Sequence, residues 1–416
     1  MNRLEAFLLR EARDRFLRYV RVDTRSDPES GSHPSSEGQW VLARLLAEQL
    51  EDLGLSDVAV GGACFVYARL PASEGVSAPA LCLCAHLDTS PAEPGKGVVP
   101  VRHERYDGGE IRFPDDSDLT LTQALSPELG RCIGQTIITA SGTTLLGADD
   151  KAGIAEIMAA LAALRRFEDL PHPELCIVFT PDEEIGQGTD GIDRSRLGPV
   201  GYTVDGGFAG SIEAECFHAH RIRVRFYGKN VHPGYAKGRM INAAALAARY
   251  AAALPEEETP EQTEGRQGFF HITGLGGQES EACLDLIVRD FEATENDRRI
   301  GVLRDLAAAF EERYAGLRIH VEVEEQYRNM REVLRGHPEV IHRAEEAVKA
   351  AGLEPVMEPI RGGTDGARLS FMGMPCPNLF SGAMLPHSKT EWVSETALEK
   401  SAETLLHLFR LWAGAG

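Results

Sequence analysis

Ala80-Leu81-Cys82-Leu83-Cys84-Ala85-His86-Leu87-Asp88-Thr89 is the stretch that decides the fold. An apolar run with cysteines alternating inside it reads as a buried strand, and it stops at a histidine and an aspartate. Residues two apart on a strand point the same way, so His86 and Asp88 can share a site at the strand's end. Further short apolar runs lie at 58–60, 64–70, 174–180 and 201–204, and helical spacing marks 38–53 and 152–165. Strands interleaved with helices predict an α/β fold with a mostly parallel central sheet, whose functional residues sit at strand ends.

From about residue 214 the texture changes. Arg221-Ile222-Arg223-Val224-Arg225-Phe226 alternates cationic and apolar side chains, as a strand with one face in water does. Beyond it the pattern predicts a helix over 242–254, strands over 269–273 and 284–291, a helix over 297–315 and a strand over 318–324. That β-α-β-β-α-β order is the split unit of a ferredoxin-like layer, inserted at 214–324 into a larger domain of residues 1–213 and 325–416. Helices over 338–351 and 394–413 then bracket an apolar run at 376–380. The polar segment 90–136 reads as a long loop, and its acidic cluster Asp115-Asp116-Ser117-Asp118 lacks the glycine and spacing of a calcium site.

The 416 residues carry 64 Asp and Glu against 43 Lys and Arg, a net charge of −21. Such a surface repels nucleic-acid phosphates and anionic membranes; its carboxylate excess serves either solubility or a cation site. No stretch reaches the ~18 uncharged apolar residues of a membrane span. Residues 1–11 are broken by charge every few positions, so no signal segment is predicted and the expected location is cytoplasmic. The 8 cysteines include no Cys-x-x-Cys pair and are expected to be reduced and structural.

Other motifs repeat the placement of acid or histidine beside an apolar run. In Leu146-Gly147-Ala148-Asp149-Asp150-Lys151, one aspartate is enough to cap a helix; a second crowded beside it carries an electrostatic cost that a divalent cation would offset. Thr180-Pro181-Asp182-Glu183-Glu184 is either a solvated turn or the pair hydrolytic metal chemistry uses, one glutamate as ligand and its neighbour as general base. Asp205 precedes Gly206-Gly207, and His387 stands in Pro386-His387-Ser388. Each alone is compatible with a structural role. Together, His86, Asp149, Glu184, Asp205 and His387 offer nitrogen and oxygen without thiolate, which suits zinc, manganese or cobalt. The set is enough for two metals sharing a bridging carboxylate.

These residues resemble the peptidase T family, tripeptide aminopeptidases of the di-zinc superfamily that also holds aminoacylases and carboxypeptidase G. The resemblance runs essentially end to end, through Arg15-Phe16-Leu17-Arg18-Tyr19-Val20, Glu37-Gly38-Gln39-Trp40, Asn230-Val231-His232-Pro233-Gly234, Arg361-Gly362-Gly363-Thr364-Asp365-Gly366-Ala367 and Pro375-Cys376-Pro377-Asn378-Leu379-Phe380. It implies a zinc-exopeptidase-like catalytic domain with the inserted ferredoxin-like domain as lid and dimerisation surface. It implies two zinc ions per subunit, with cobalt or manganese as substitutes: Asp149 bridging, His86 and Asp205 on one metal, Glu184 and His387 on the other. Asp88 would orient His86, Glu183 would be the general base, and His232 would reach the oxyanion of a neighbouring active site, in a homodimer that of the partner subunit.

Arg361 and Arg289 are candidates for the peptide carboxylate, whose two oxygens a guanidinium fork matches, and Asn329 is a further one. The sequence departs from the family pattern at Leu87, where valine is frequent, at Ser388 and Thr390, and in the longer segment 90–136; none of these is a ligand. The expected activity is release of the N-terminal residue from tripeptides. The alternatives are an N-acyl amino acid deacylase on the same scaffold and a non-catalytic metal or peptide binder. Asp205 favours the peptidase, since the resemblance places aspartate there in aminopeptidases and dipeptidases and glutamate in many deacylases.

Overall fold

The computed structural model describes residues 2–167 and 169–414. The chain forms two compact units, one reaching Ala214 and resuming over Met330–Glu358 and from Thr364, the other comprising Glu215–Asn329 and Pro359–Gly363.

Along the first unit run α1 (Arg3–Tyr19), α2 (Glu37–Asp52), β1 (Ser56–Val60), β2 (Val66–Leu70), β3 (Leu81–His86), β4 (Val101–His103), β5 (Ile111–Phe113), β6 (Asp116–Leu121), β7 (Ile137–Thr139), α3 (Ala148–Arg166), β8 (Leu175–Thr180), β9 (Val200–Gly206) and β10 (Ser211–Cys216). The second unit is built from β11 (His218–Tyr227), α4 (Ala243–Ala251), β12 (Phe269–Gly277), β13 (Glu281–Asp290), α5 (Ala293–Arg313) and β14 (Arg318–Tyr327). The chain then continues through α6 (Arg331–Leu334), α7 (Pro338–Ala350), β15 (Val356–Ile360), α8 (Asp365–Phe371), β16 (Asn378–Phe380), β17 (Trp392–Ser394) and α9 (Glu395–Trp412).

The large sheet has the order β1-β2-β8-β3-β9-β16-β10-β15. Its centre, β8-β3-β9-β16, is parallel, and antiparallel pairs flank it. Every position of β3 is buried, which explains an unbroken apolar run where a one-sided strand would alternate. The same direction of β3, β8 and β9 brings their carboxyl ends to one edge, with His86 directly opposite Thr180. On one face α1, α3 and α9 bury Leu8, Phe16, Ile157, Leu405 and Phe409 against the sheet, each large apolar side chain contributing about 1.5–3 kcal/mol by leaving water. Alanine-rich α3 can lie close, and at Gly153 the approach is extreme: a Cβ there would stand 1.8 Å from the Val204 carbonyl oxygen.

In the second unit the sheet order is β12-β13-β11-β14, antiparallel throughout, the ferredoxin-like arrangement. The apolar positions of the alternating β11 sequence, Ile222, Val224 and Phe226, pack with Leu284, Leu286 and Val288 and with Leu303 of α5 and Tyr250 of α4. Its cationic positions pair across strands, Arg223 with Asp285 at 2.7 Å and Arg225 with Glu322 at 3.1 Å.

The segment 90–136 differs from the loop the sequence suggests. It forms β4, the β5/β6 hairpin and a short 3-10 helix, and encloses a small core of Tyr106, Ile111, Phe113, Leu121, Leu129, Cys132, Ile137 and Trp392. Asp116 and Asp118 of the acidic cluster lie in β6. Isolated apolar residues among polar ones give no periodic signal, and their partner Trp392 is remote in sequence. The edge strand β15 was likewise unanticipated, because its residues are largely exposed. All 8 cysteines are free, and no helix among the described residues is long and apolar enough to cross a membrane.

Candidate metal centre

At the shared strand edge, His86 Nε2 lies 2.9 Å from Asp149 Oδ1 and 3.6 Å from Asp205 Oδ1. Across from it, His387 Nε2 lies 3.2 Å from Asp149 Oδ2 and 2.8 Å from Glu184 Oε2. Asp149 therefore offers a different oxygen to each histidine, as a bridging carboxylate must. Donor atoms around a tetrahedral zinc, at ~2.0–2.1 Å from it, stand about 3.3 Å from one another; the spacings here bracket that value. Glu184 Oε1 is buried without a hydrogen-bond partner, an orphan a cation would satisfy. Donor atoms of His86, Asp149 and Glu184, and of His86, Asp150 and Asp205, lie close enough to hold a metal, and with His387 against Asp149 and Glu184 the imidazoles and carboxylates, free of thiolate, fit divalent ions.

The tautomer of His86 also fits. Its Nδ1 is 3.1 Å from the carbonyl oxygen of Asp88, which can only accept, so Nδ1 carries a proton and Nε2 is the nitrogen that would turn a lone pair to a metal once its own proton is displaced. The charges are out of balance without cations. Burial pushes Glu184 up to about 8 and Asp205 up to about 6, and holds Glu183 well above the usual carboxylate range. Asp149 goes the other way: burial opposes it, but hydrogen bonds from His387 and His86 hold it below that range. Those to Asp149 and Glu184 raise His387 to about 11. Protons here stand in for missing positive charge, which divalent ions would supply.

Comparison with known proteins shows the family. Peptidase family M20/M25/M40 matches residues 146–411. Peptidase T of Geobacillus thermodenitrificans is 44% identical over 400 residues, covering 96% of this chain and 97% of that protein. Peptidase T of Desulfitobacterium hafniense is 45% identical over 401 residues, covering 96% and 98%.

The chain belongs to peptidase family M20, in its peptidase T branch.

Among solved structures, aminopeptidase PepT from Bacillus cereus superposes with a TM-score of 0.74 at 23% identity, covering 97% of this chain and 99% of that one. A dinuclear metal-binding peptidase of the M20 family from Bacillus subtilis gives 0.63 at 14% identity, covering 99% of both chains. The peptidase fold is thus shared.

The peptidase T scaffold around that centre holds residues whose roles the sequence reading assigned differently or missed. Asp88, expected only to orient His86, has its carboxylate 3.4 Å from His86 Nδ1 and also accepts the backbone N–H groups of Glu183 at 3.0 Å and Glu184 at 3.2 Å. Asp182, one of three adjacent acids, is bonded elsewhere. It adopts a left-handed conformation (φ 55°), and its fully buried carboxylate accepts Ser35 N at 2.7 Å and Gln39 Nε2 at 2.6 Å, with His33 Nδ1 at 2.8 Å. Asp150 caps α3 through Gly153 N at 3.2 Å and accepts His86 N at 3.1 Å. Glu391 went unnoticed, since a single glutamate in Thr390-Glu391-Trp392 carries no pattern; its carboxylate accepts three backbone N–H groups of the Asp149 loop.

His232, Arg289, Asn329 and Arg361 belong to the second unit. His232 is exposed, accepts Gly234 N at 3.1 Å and leans on Tyr235. Asn329 is buried and committed to structure, its Oδ1 accepting Cys216 N at 3.2 Å and its Nδ2 donating to Phe291 O at 3.0 Å. Arg361 is also engaged: NH1 donates to the carbonyls of Gly265 at 2.7 Å and Gln267 at 2.9 Å, NH2 to Thr263 Oγ1 at 3.0 Å, and the guanidinium lies over Phe217 and Phe269. These bonds commit the Arg361 guanidinium to the 263–267 loop of its own unit. Arg289 keeps a donor to spare, its buried Nε lacking a partner while the guanidinium rests on Tyr327.

Proposed function

We propose that the chain is a metallo-aminopeptidase that releases the N-terminal residue of tripeptides, with two zinc ions as its resident metals. The observation that carries this is the convergence of His86, Asp149, Glu184, Asp205 and His387 around two histidines joined by Asp149, with Glu183 beside them and outside the ligand contacts. Two such ions supply Lewis acidity, acidifying a water and polarising the scissile carbonyl. Cobalt or manganese would fit the same donors.

The chain's own residues do the rest. Glu183 takes the proton of the attacking water and returns it to the departing amine; its raised affinity for a proton suits that exchange. Asp88 fixes the turn that carries Glu183 through the backbone N–H groups it accepts. His232 serves the oxyanion of a neighbouring active site in a homodimer formed through the second unit. Arg289, with its free donor, takes the substrate's carboxylate ahead of Arg361. The setting we infer is cytoplasmic, with small peptides as substrates.

The test is a metal count together with hydrolysis of di-, tri- and tetrapeptides and of N-acetyl-Ala. Two metals per chain and a preference for Ala-Ala-Ala are expected. Turnover of only the acetylated compound would replace the peptidase assignment with a deacylase.

A further inference from the structure

Regular helical geometry in α3 starts after Asp150: Asp149 has φ −81°, ψ 103° and Asp150 φ −122°, ψ 33°. The helix therefore does not set the position of Asp149, although both oxygens of that side chain are needed at once, one toward each histidine. What does contact its backbone is the carboxylate of Glu391. Glu391 Oε2 accepts Leu146 N at 2.8 Å and Gly147 N at 2.7 Å, and Oε1 accepts Asp149 N at 2.9 Å. Both carboxylate oxygens are thereby directed at the amides of this loop.

Glu391 is in turn firmly seated. It is 1% exposed, its N–H closes a turn onto Ser388 O, and the next residue, Trp392 at the start of β17, exchanges two backbone bonds with Met384. The turn so closed, 385–391, carries His387. One side chain thus ties the loop of the bridging aspartate to the loop of the second histidine. Charge-assisted bonds from three converging amides make this a stiff tie, and without it two buried N–H groups and a partly buried one would be orphaned.

We propose that Glu391 is a positioning residue of the metal centre, holding Asp149 where it can serve both metal positions and fixing its distance from His387. This rests on the metal-centre assignment above. It makes a distinct claim: affinity for metal, more than the chemistry, depends on Glu391.

The experiment is a metal titration of the metal-free protein with Zn2+ against a chromophoric chelator, for the parent, Glu391→Gln and Glu156→Gln, together with kcat and KM on Ala-Ala-Ala at rising Zn2+. Glu156 is a buried carboxyl group in α3 that touches no metal ligand among the described contacts, bonding to Ser401 instead, so its variant reports what the loss of a buried carboxyl group does by itself. Outer partners of ligands typically account for ~10–100-fold in metal affinity. Glu391→Gln is expected to weaken zinc binding by that factor, with KM unchanged and kcat largely recovered at saturating zinc, while Glu156→Gln binds as the parent does. Equal affinity in Glu391→Gln and parent would overturn the proposal and leave the metal centre standing; a parent that binds no zinc would sink the centre itself. Should Glu391→Gln fail to fold, hydrogen exchange on the metal-free parent decides. The amides of Leu146, Gly147 and Asp149 are expected to be protected, and exchange at unstructured rates would refute the tie.

Discussion

Asp88→Asn removes one oxygen acceptor and places an amide NH2 where a carboxylate oxygen stood. In the folded chain Asp88 Oδ1 and Oδ2 each accept one backbone N–H, from Glu183 and Glu184, and Oδ1 lies 3.4 Å from His86 Nδ1. Asparagine can keep one of those bonds as a neutral one and must set a donor against a donor at the other. A hydrogen bond to a charged group contributes about 1.5–3 kcal/mol, so the turn loses on the order of 3 kcal/mol of support. Part of that loss falls on global stability and part on the positions of Glu183 and Glu184. We expect metal affinity to fall by ~10–100-fold, and kcat to stay depressed even at saturating metal because the general base is displaced as well. Competition against a chromophoric chelator gives the first quantity and steady-state hydrolysis of a tripeptide the second. If both stay within about twofold of the parent, Asp88 is not what holds the turn, and its burial has another cause.

Glu183→Gln should retain metal, since Glu183 lies outside the ligand contacts, yet lose ~10²–10⁴ in kcat; full turnover in that variant removes Glu183 from the mechanism. His387→Ala should weaken one of the metals, read by elemental analysis after dialysis, and a full metal complement would deny His387 its place. Burial holds Glu156 well above its usual value, with one oxygen lacking any partner. The folded state then keeps a proton the unfolded chain has lost, so this group's contribution to stability is fully present below the unfolded pKa and falls as pH rises toward the folded one, by up to about 1.4 kcal/mol per pH unit. Glu156→Gln should therefore melt higher than the parent at pH 8 and show a smaller gain at pH 5; a gap independent of pH would contradict the burial of an ionisable Glu156.

Much of this centre could be read one strand end at a time. An apolar run closing on His86 and Asp88, another closing on Glu183 and Glu184, and a third on Asp205 are local signals, because a buried parallel strand writes a continuous apolar run and the catalytic group follows it. The alternating β11 sequence marks the one-sided sheet of the second unit in the same local way. Support residues left no such trace. Asp182 and Glu183 are neighbours with the same chemistry, and only the left-handed turn sends one carboxylate to Ser35 and Gln39 and leaves the other beside the metal ligands. Glu391 became visible only when β17 was seated and three amides of a loop some 240 residues earlier converged on it.

The sequence by itself determined the α/β class and the inserted ferredoxin-like unit, since each is encoded in hydrophobic period, and it marked the acids and histidines that follow apolar runs and carried the resemblance to the peptidase T family. The tertiary structure decided which acid faces the histidines, which is anchor and which of Arg289 and Arg361 keeps a free donor. Those roles depend on where buried N–H groups and carbonyls from distant segments need partners, and burial makes that need costly only after the chain has packed.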